Sequence, residues 1–391
     1  MNLSSYESTR VLSVTSINQL FIGLACMGKN AVDSKKYTDY LIVSSNWLTD
    51  HAVQEIYCAA GAYGFEAILD LRSELSTGDW SRIGRVKSAI RLRTQFRAII
   101  KQKSPVEVYL RYKLNWPERL ILSEFKACQI HLFEDGLGDY LAGLHRLTKE
   151  QSAMKMLLGV LENGFQRILG VRSARQYLKH VSFVYELVKF RTGDRKQEIE
   201  QSTGATYLGI GSEYVNIIKA CSREHELEKI PSNSVLFLTP LLSKATNKEY
   251  PAILDYSKLI IEGIRAIYPE THVLVKAHPR SPAGLVAMYQ RYLAGCSCSF
   301  LDGKGLPAEA YLASDNLIAV VAASYSSTLI YAVQLFDTSA YYCSVPESLN
   351  LFFGDSIYVD KLSNNPFEPV VAALTQLGAC RLDLPSGESK Y

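Results

Sequence analysis

The chain has 391 residues, with 42 Lys and Arg against 39 Asp and Glu, so its formal net charge is only +3. Hydrophobic residues make up 48% of the sequence and charged residues 21%, which excludes a disordered chain, a collagen-like repeat and a small disulfide-bonded protein. The even charge balance disfavours nucleic acid as the main partner. The length predicts about two domains of ordinary size.

Neither a membrane-spanning helix nor a signal peptide is expected. No run of about 18 apolar residues occurs, and the first apolar stretch, 20–27, is short and has no compact basic region before it. The cysteines lie mostly in apolar runs, which predicts reduced, buried thiols in the cytoplasm. Cys296 and Cys298 form the only close pair, and without a second Cys or His pair nearby they do not predict a zinc site.

Short apolar runs alternate with longer helical patterns along most of the chain. Strands are predicted at 11–14, 40–44, 65–71, 129–133, 234–238, 272–276, 298–301, 317–322 and 339–343. Helices are predicted near 19–27, 50–62, 82–101, 139–163, 251–267, 285–294, 307–313 and 327–335. This alternation predicts an α/β protein with parallel sheets covered by helices on both faces. We expect two doubly wound, Rossmann-like domains, 1–204 and 205–391, that face each other across a cleft.

The carboxyl ends of strands are where open α/β sheets bind ligands. The strand 129–133 runs directly into Glu134, Asp135 and Gly136. Glycine allows a sharp turn and a close approach of substrate, and a carboxylate there is a candidate general base for a sugar hydroxyl. The alternative is a turn that caps the next helix. A metal-binding pair is less favoured, because adjacent acids tend to point to different sides.

A second polar group follows the strand 272–276, which ends at Lys276 and leads into His278 and Pro279. Proline biases the residue before it away from helical geometry, which places the histidine at the strand tip. Lys276 favours an anionic ligand, and a histidine beside a leaving phosphate can donate a proton or a charge-assisted hydrogen bond. The alternative is a purely structural histidine.

The strand 317–322 leads into a third group, the hydroxyl residues Ser326 and Ser327, at the start of a helix. Free backbone N–H groups and the helix dipole make such a start a candidate anion site, although simple capping is the alternative. Upstream, Glu309 in the first turn of another helix is a candidate ligand for ribose hydroxyls, or else a routine helix stabiliser.

The ordered set Glu134-Asp135-Gly136, His278-Pro279, Pro307-Ala308-Glu309 and Ser326-Ser327 resembles the bacterial sialyltransferases of the lipooligosaccharide and capsular polysialyl type. The loops 15–19 and 238–243 resemble that group more weakly. The resemblance implies a two-domain GT-B glycosyltransferase that moves sialic acid from CMP-sialic acid (CMP-Neu5Ac) to a bacterial surface glycan. A single displacement would invert the anomeric centre.

The same resemblance implies roles for individual residues. Glu134 would be the base, with Asp135 as the alternative, and His278 would support departure of CMP. On the donor side, Ser326 and Ser327 would hold the phosphate and Glu309 the ribose, with further donor contacts from Gly136, Pro279, Thr239 and Lys276. On the acceptor side, Asn18 and Gln19 are weaker candidates.

No metal or other cofactor is expected, because a cationic histidine, hydroxyls and a helix N-terminus can stabilise one departing phosphate. The acceptor is expected to be a lipid-linked glycan. The basic segment 82–103 is interleaved with apolar residues and could contact anionic lipid headgroups or a polyanionic glycan. The alternative is a solvated helix face with its apolar stripe in the core. We therefore expect a cytoplasmic enzyme with peripheral contact to the inner face of the plasma membrane.

Other functions remain open at this point. CDP-glycerol polymer synthases share Lys276-Ala277-His278-Pro279 and the serine pair, but their Gly-Thr-Pro-Leu-Lys segment is missing here and the acidic turn is present. These motifs distinguish a CMP-Kdo transferase only poorly from a sialyltransferase. A UDP-sugar transferase could share the fold. A non-catalytic glycan-binding protein is disfavoured by the intact acid, histidine and serine residues.

Overall fold

A computed structural model of the chain describes residues 7–29, 36–44, 50–72, 82–100, 106–112, 114, 116–125, 128–134, 171–172, 174–188, 204–240, 248–278, 281, 283–293, 298–301, 306–343 and 368–384. The chain divides into two compact units, 1–214 and 215–391, called here the first and the second unit. Each unit is built on one parallel sheet.

The sheet of the first unit has its strands in the order β3-β2-β1-β4-β5-β6-β7, and every pair is parallel. The chain order reverses between β1 and β4, as in doubly wound Rossmann-like sheets. The strands are β1 (Glu7–Val14), β2 (Lys36–Val43), β3 (Ala67–Asp70), β4 (Val106–Arg111), β5 (Gln129–Phe133), β6 (Val181–Glu186) and β7 (Thr206–Gly209). The helices are α1 (Ile17–Lys29), α2 (Asp50–Tyr63), α3 (Arg82–Ile99), α4 (Trp116–Glu124), α5 (Ala174–Leu178) and α6 (Gly211–Glu224), the last of which contains the division between the units.

Helix α1 lies directly on the first sheet and is buried from Leu20 to Met27. Gly23 makes this close approach possible, because a Cβ atom there would lie 2.3 Å from Cδ1 of Leu12 in β1. The core on the other side of the sheet includes Leu92 and Phe96 of α3. Their spacing of four residues is typical of the apolar stripe of a helix that covers a sheet.

The sheet of the second unit has the order β10-β9-β8-β11-β12-β13, again with every pair parallel. Its chain order reverses between β8 and β11. The strands are β8 (Ser234–Leu238), β9 (His272–Lys276), β10 (Cys298–Phe300), β11 (Leu317–Ala322), β12 (Ser339–Tyr342) and β13 (Cys380–Arg381). The helices are α7 (Tyr250–Ile267), α8 (Ala283–Leu293), α9 (Ser327–Phe336) and α10 (Glu368–Gln376), with 3-10 helices at Leu227–Lys229 and Ala308–Ala313.

Apolar side chains of β8, β9 and β11 form the core of the second unit with α7. Helix α7 begins with Pro251 in its first turn and buries Ile253, Ile260 and Ile264, which recur at helical spacing. Strands β8, β9 and β11 are almost continuously apolar, as expected for parallel strands that are covered on both faces.

The α/β, doubly wound fold class is confirmed, but several elements differ from the predictions. Strands β4, β6, β7 and β13 and helices α4, α5, α6 and α10 were not predicted, and the segment 307–313 forms a 3-10 helix. The predicted helix 139–163 lies outside the described residues. The predicted domain boundary near Gly204 precedes β7, yet β7 pairs with β6 in the first sheet, and the division between the units therefore follows Tyr214.

The cysteines are less uniformly buried than the sequence predicts. Cys26, Cys221 and Cys343 are buried, but Cys58 and Cys380 are exposed. No cysteine that the structure describes is in a disulfide, and Cys296 lies outside those residues. Burial raises the pKa of the Cys343 thiol to about 12, so this thiol is a protonated core residue at neutral pH.

Candidate active site

The ends of β8 and β9 bring Thr239 and Lys276 together at the carboxyl edge of the second sheet. Lys276 is the last residue of β9, and its carbonyl accepts a hydrogen bond of 3.0 Å from the N–H of Thr239. His278 follows two residues later and is half-buried. Its carbonyl accepts a hydrogen bond of 2.8 Å from the N–H of Ser281, which closes a turn after the strand. Pro279 lies outside the described residues.

Lys276 and Thr239 are buried polar residues whose functional groups have no hydrogen-bond partner in the part of the chain that the structure describes. Each is only 6% exposed. Among the residues that the structure describes, the Lys276 ammonium has no hydrogen-bond or ion-pair partner, and neither has the Thr239 hydroxyl. Nζ of Lys276 lies 5.5 Å from the ring centroid of Tyr311. Burial lowers the pKa of Lys276 to about 8, and the charge of Glu309 opposes this shift.

The start of α9 follows β11, the neighbour of β8 across the point where chain order reverses. Ser326 is the N-cap residue, with an extended backbone, and its Oγ accepts a hydrogen bond of 3.2 Å from the N–H of Thr328. The hydroxyl of Ser326 donates a bond of 3.0 Å to Oγ1 of Thr328. Ser327 is the first helical residue. A capped helix start at the switch point of a doubly wound sheet favours an anionic ligand.

A hydrogen bond joins Glu309 to the first turn of α9. Its Oε1 accepts a hydrogen bond of 2.9 Å from the hydroxyl of Thr328, and both side chains are buried. Burial raises the pKa of Glu309, while hydrogen bonds and the charge of Lys276 oppose the shift. Thr328 was not singled out from the sequence, although a hydroxyl two residues after an N-cap serine could have indicated a cap network.

In the first unit, Glu134 directly follows β5 and is 2% exposed. Its Oε1 accepts hydrogen bonds from the N–H groups of Leu187, at 2.5 Å, and Val188, at 3.1 Å. The carboxylate is therefore held by the backbone that follows β6. Asp135 and Gly136 lie outside the described residues.

Asn18 and Gln19, the acceptor-side candidates, both make hydrogen bonds within the first unit. Oε1 of Gln19 accepts bonds from the N–H and the hydroxyl of Thr15, at 2.6 and 3.0 Å, and the N–H of Gln19 donates to Oγ of Ser16 at 3.2 Å. This is a close variant of the capping box. Oδ1 of Asn18 accepts a bond of 2.6 Å from the hydroxyl of Tyr214.

The described part of α3 divides into a buried and an exposed face. Leu92 and Phe96 are in the core, whereas Ile90 is 57% exposed. On the exposed side, Arg97 forms an ion pair of 2.5 Å with Glu124 of α4. Leu92 and Phe96 therefore pack in the core, as the alternative interpretation predicts, whereas Ile90 of the same apolar stripe is exposed.

Two negative observations apply to the described residues. They contain no group of three or more His, Cys, Asp or Glu that could hold a metal ion. None of the described helices is long and apolar enough to cross a membrane.

Each unit contains a parallel sheet in which the chain order reverses once, and these two sheets place the chain among the two-domain, doubly wound α/β proteins. The GT-B domain of the sialyltransferase from Photobacterium damselae is similar in fold, with 13% identity, a TM-score of 0.50, and coverage of 95% of this chain and 99% of that domain. A second structure of a sialyltransferase from Photobacterium damsela is 11% identical, with a TM-score of 0.49 and coverage of 96% and 81%. The UDP-GlcNAc 2-epimerase from Methanocaldococcus jannaschii is 12% identical, with a TM-score of 0.47 and coverage of 95% and 99%.

The family model of the alpha-2,8-polysialyltransferases matches residues 12–345, and the chain belongs to this family. A search of the curated proteins found no match. Family membership confirms the resemblance to bacterial sialyltransferases and makes the chain a glycosyltransferase that acts in sialyl transfer. The expected GT-B fold is confirmed as well.

Proposed function

We propose that this chain transfers sialic acid from CMP-sialic acid to a hydroxyl of a bacterial surface glycan, with inversion at the anomeric carbon. The observation that carries the proposal is the pair Lys276 and Thr239, whose buried ammonium and hydroxyl have no hydrogen-bond partner among the described residues. Such groups cost free energy when left unsatisfied. The phosphate of a nucleotide donor would supply acceptor oxygens for both.

The remaining donor contacts follow from the strand ends of the second unit. Ser326 and Ser327 begin a helix whose first N–H groups favour a phosphate. His278 follows Lys276 by two residues, where a cationic imidazole would stabilise the departing CMP. These groups supply positive charge without a divalent metal, so we propose a metal-independent reaction.

In the chemical step, the acceptor oxygen forms a bond to the anomeric carbon while the bond from that carbon to the phosphate oxygen of CMP breaks. The acceptor proton passes to a carboxylate of the first unit, and CMP leaves with the bonding electron pair. We assign the base to Glu134, because the amides of Leu187 and Val188 orient its carboxylate through Oε1. Asp135 is the alternative base.

We further propose a lipid-linked acceptor and peripheral contact with an anionic membrane. Helix α3 supports this contact, because Ile90 is exposed beside Arg91 and the side chain of Arg97 is 72% exposed. A basic helix with an exposed apolar residue suits binding at a headgroup interface.

The donor is tested by incubating the protein separately with CMP-Neu5Ac, CMP-Kdo and CDP-glycerol and measuring release of the nucleotide. Release from CMP-Neu5Ac, with CMP competing better than UMP, is expected. Release from CDP-glycerol alone, or from CMP-Kdo alone, would overturn the proposed donor. Stronger competition by UMP would favour a UDP-sugar enzyme instead.

The donor contacts are tested by CMP titration of variants. Lys276→Met and Thr239→Val are expected to weaken CMP binding about tenfold or more, because each removes a group that the phosphate would satisfy. The matched control is Lys258→Met, which alters an exposed lysine of α7 in the same unit. Wild-type affinity in both site variants would contradict the assignment.

A further inference from the structure

The last residues of β9, β8, β11, β12 and β13 form one continuous row across the carboxyl edge of the second sheet. In register, these residues are Lys276, Leu238, Ala322, Tyr342 and Arg381. Residues in register on parallel strands point to the same face of the sheet. The row therefore carries a cation at each end, and each cation belongs to a strand about 10 Å from β11, which lies between them.

Helix α9 begins between these two cations. On the β9 side, its first turn is joined to Glu309 by the bond from Thr328, and the charge of Glu309 acts on Lys276. On the other side, Tyr325 directly precedes the N-cap residue and lies against Tyr342, with 6.4 Å between the ring centroids. The helix start is thus flanked by Lys276 on one side and by the strands β12 and β13 on the other.

The backbone of Arg381 is held in place relative to α9. The N–H of Leu382, the next residue, donates a hydrogen bond of 2.9 Å to the carbonyl of Tyr342. The carbonyl of Leu377, which precedes β13, accepts a bond of 2.8 Å from Nε2 of Gln334 in α9. Arg381 therefore comes from a strand that is bonded to both β12 and α9.

The guanidinium of Arg381 is available to a ligand. The residue is exposed, and within the described ranges its guanidinium has no hydrogen-bond or ion-pair partner. Burial and the neighbouring Tyr342 raise the pKa of the Tyr325 hydroxyl, and the charge of Arg381 opposes this shift. Tyr325 is therefore a neutral neighbour that leaves the charge of Arg381 uncompensated. A guanidinium has five N–H donors in a planar fork that matches a carboxylate.

We propose that Arg381 binds the carboxylate of the sialyl donor while the start of α9 binds the donor phosphate. This inference rests on the proposed function and deepens it. In CMP-sialic acid the carboxylate and the phosphate ester oxygen are attached to the same anomeric carbon, so the two anionic groups lie close together. A cation beside the phosphate site is therefore placed for the second anion. A bidentate contact would select sugars that carry this carboxylate over neutral sugars.

The decisive experiment compares CMP with CMP-3-fluoro-Neu5Ac, a donor analogue that keeps the carboxylate, by titration calorimetry. Arg381→Gln is expected to weaken binding of the analogue about tenfold or more and to leave the affinity for CMP unchanged. Arg381→Lys keeps the charge but loses the planar fork, so a smaller loss is expected. Unchanged CMP binding shows in the same experiment that the variants are folded.

The methyl ester of the same analogue tests the contact from the ligand side, because it lacks the negative charge. The wild type is expected to bind the ester about tenfold more weakly than the acid, and Arg381→Gln should cause no further loss, since both changes remove one contact. The matched control is Arg291→Gln, which alters an exposed arginine in the last turn of α8 in the same unit. It is expected to bind all three ligands like the wild type.

The outcomes separate this inference from the proposed donor. If the wild type binds CMP and the analogue but Arg381→Gln binds both normally, the inference is overturned and the proposed donor stands. The inference is also overturned if Arg381→Gln raises only the KM for a sialylated acceptor, because the carboxylate would then belong to the acceptor. A wild-type protein that binds neither CMP nor the analogue contradicts the proposed donor, and the role of Arg381 falls with it.

Discussion

The N–H of Leu187 donates a hydrogen bond of 2.5 Å to Oε1 of Glu134, which ties the residue after β5 to the backbone that follows β6. Val188 donates to the same oxygen. This anchorage gives Glu134 two separable functions: it holds a loop, and it presents an oriented carboxylate. Variants can distinguish the two, because the carbonyl oxygen of glutamine still accepts hydrogen bonds but glutamine is a poor base.

We predict that Glu134→Gln lowers kcat at least a hundredfold and changes stability little, since general base catalysis contributes about 10²–10⁴-fold. Glu134→Ala should also lose about 1–3 kcal/mol of unfolding free energy, because two buried amides lose an acceptor. Steady-state kinetics and urea denaturation measure the two effects. Asp135→Asn is the comparison: if it abolishes turnover while Glu134→Gln remains active, the base is Asp135.

The two serines at the start of α9 are predicted to differ. Ser327→Ala should weaken CMP binding about tenfold, because its hydroxyl lies at the first position of α9, where the phosphate would bind. Ser326→Asn should bind CMP with little change, since asparagine is a good N-cap residue. Titration calorimetry checks both, with Thr338→Val, at a buried threonine just beyond the other end of α9, as the control. A larger loss in Ser326→Asn than in Ser327→Ala would show that the Ser326 hydroxyl, and not that of Ser327, contacts the phosphate.

The buried ammonium of Lys276 predicts a specific dependence of stability on pH. Burial lowers its pKa from 10.5 to about 8, so between these values the unfolded chain holds a proton that the folded chain has lost. The free energy of unfolding should therefore rise with pH across this window, relative to Lys276→Met, by up to about 3 kcal/mol. Urea denaturation of both proteins from pH 7 to 10 measures the difference.

Below about pH 8 Lys276 is charged in both the folded and the unfolded chain, and the cost of burying the charge is fully present. The difference in unfolding free energy between the wild type and Lys276→Met should therefore not change with pH there. Glu309 and Tyr311 face Lys276 in both proteins and do not alter the sign of the comparison. If the unfolding free energy of the wild type relative to Lys276→Met instead falls as pH rises, Lys276 has gained a stabilising anionic partner in the folded protein. Adding CMP should shift the rise to higher pH, because a bound phosphate favours the charged form.

The hydrogen bond between Tyr214 and Asn18 predicts a structural effect of Asn18. Asn18→Ala should cost about 1–3 kcal/mol, because a buried hydroxyl loses this acceptor, and Tyr214→Phe should cost about 0.5–1.5 kcal/mol. The double variant should be no less stable than Asn18→Ala. Tyr292→Phe, which alters a more exposed tyrosine, is the control. A higher KM for the acceptor in Asn18→Ala, with unchanged stability, would restore the acceptor role.

Helix α3 predicts binding to anionic membranes. Wild-type protein should sediment with vesicles that contain phosphatidylglycerol, and Ile90→Glu should reduce the bound fraction several-fold by removing an apolar contact and adding repulsion. Ile267→Glu is the matched control, since Ile267 is 46% exposed at the end of α7. Equal loss in both variants, or no sedimentation of the wild type, would contradict a specific role of α3.

Continuously apolar strands could be located from the sequence. The bounds of β5, β8, β9 and β11 are those predicted, because each run of Val, Ile, Leu or Phe is bracketed by polar or turn-forming residues. Glu134, His278 and Ser326 follow these runs within one to four residues, so the sequence also indicated the candidate site. These inferences need only local patterns and the rule that parallel sheets bind ligands at their carboxyl edge.

Strands β4 and β6 were not predicted, because the contacts that satisfy their buried polar side chains do not show in the sequence pattern. Glu107 of β4 is buried and accepts a hydrogen bond of 2.9 Å from the hydroxyl of Tyr109. His131 of β5 is 3.0 Å from the Tyr185 hydroxyl of β6 and stacks on Tyr109 at a centroid distance of 4.3 Å. In sequence, β4 and β6 carry charged and polar residues that disfavour a core strand.

The sequence by itself determined the α/β class, the paired Rossmann-like organisation and the motifs that resemble sialyltransferases. Tertiary structure alone decided which groups are already satisfied within the protein. Glu309 and Asn18 are ligand candidates from the sequence, and the structure adds a protein partner for each, Thr328 and Tyr214, which lie 19 and 196 residues away along the chain. Whether a polar side chain remains for a ligand depends on contacts between distant residues, which a local pattern does not record.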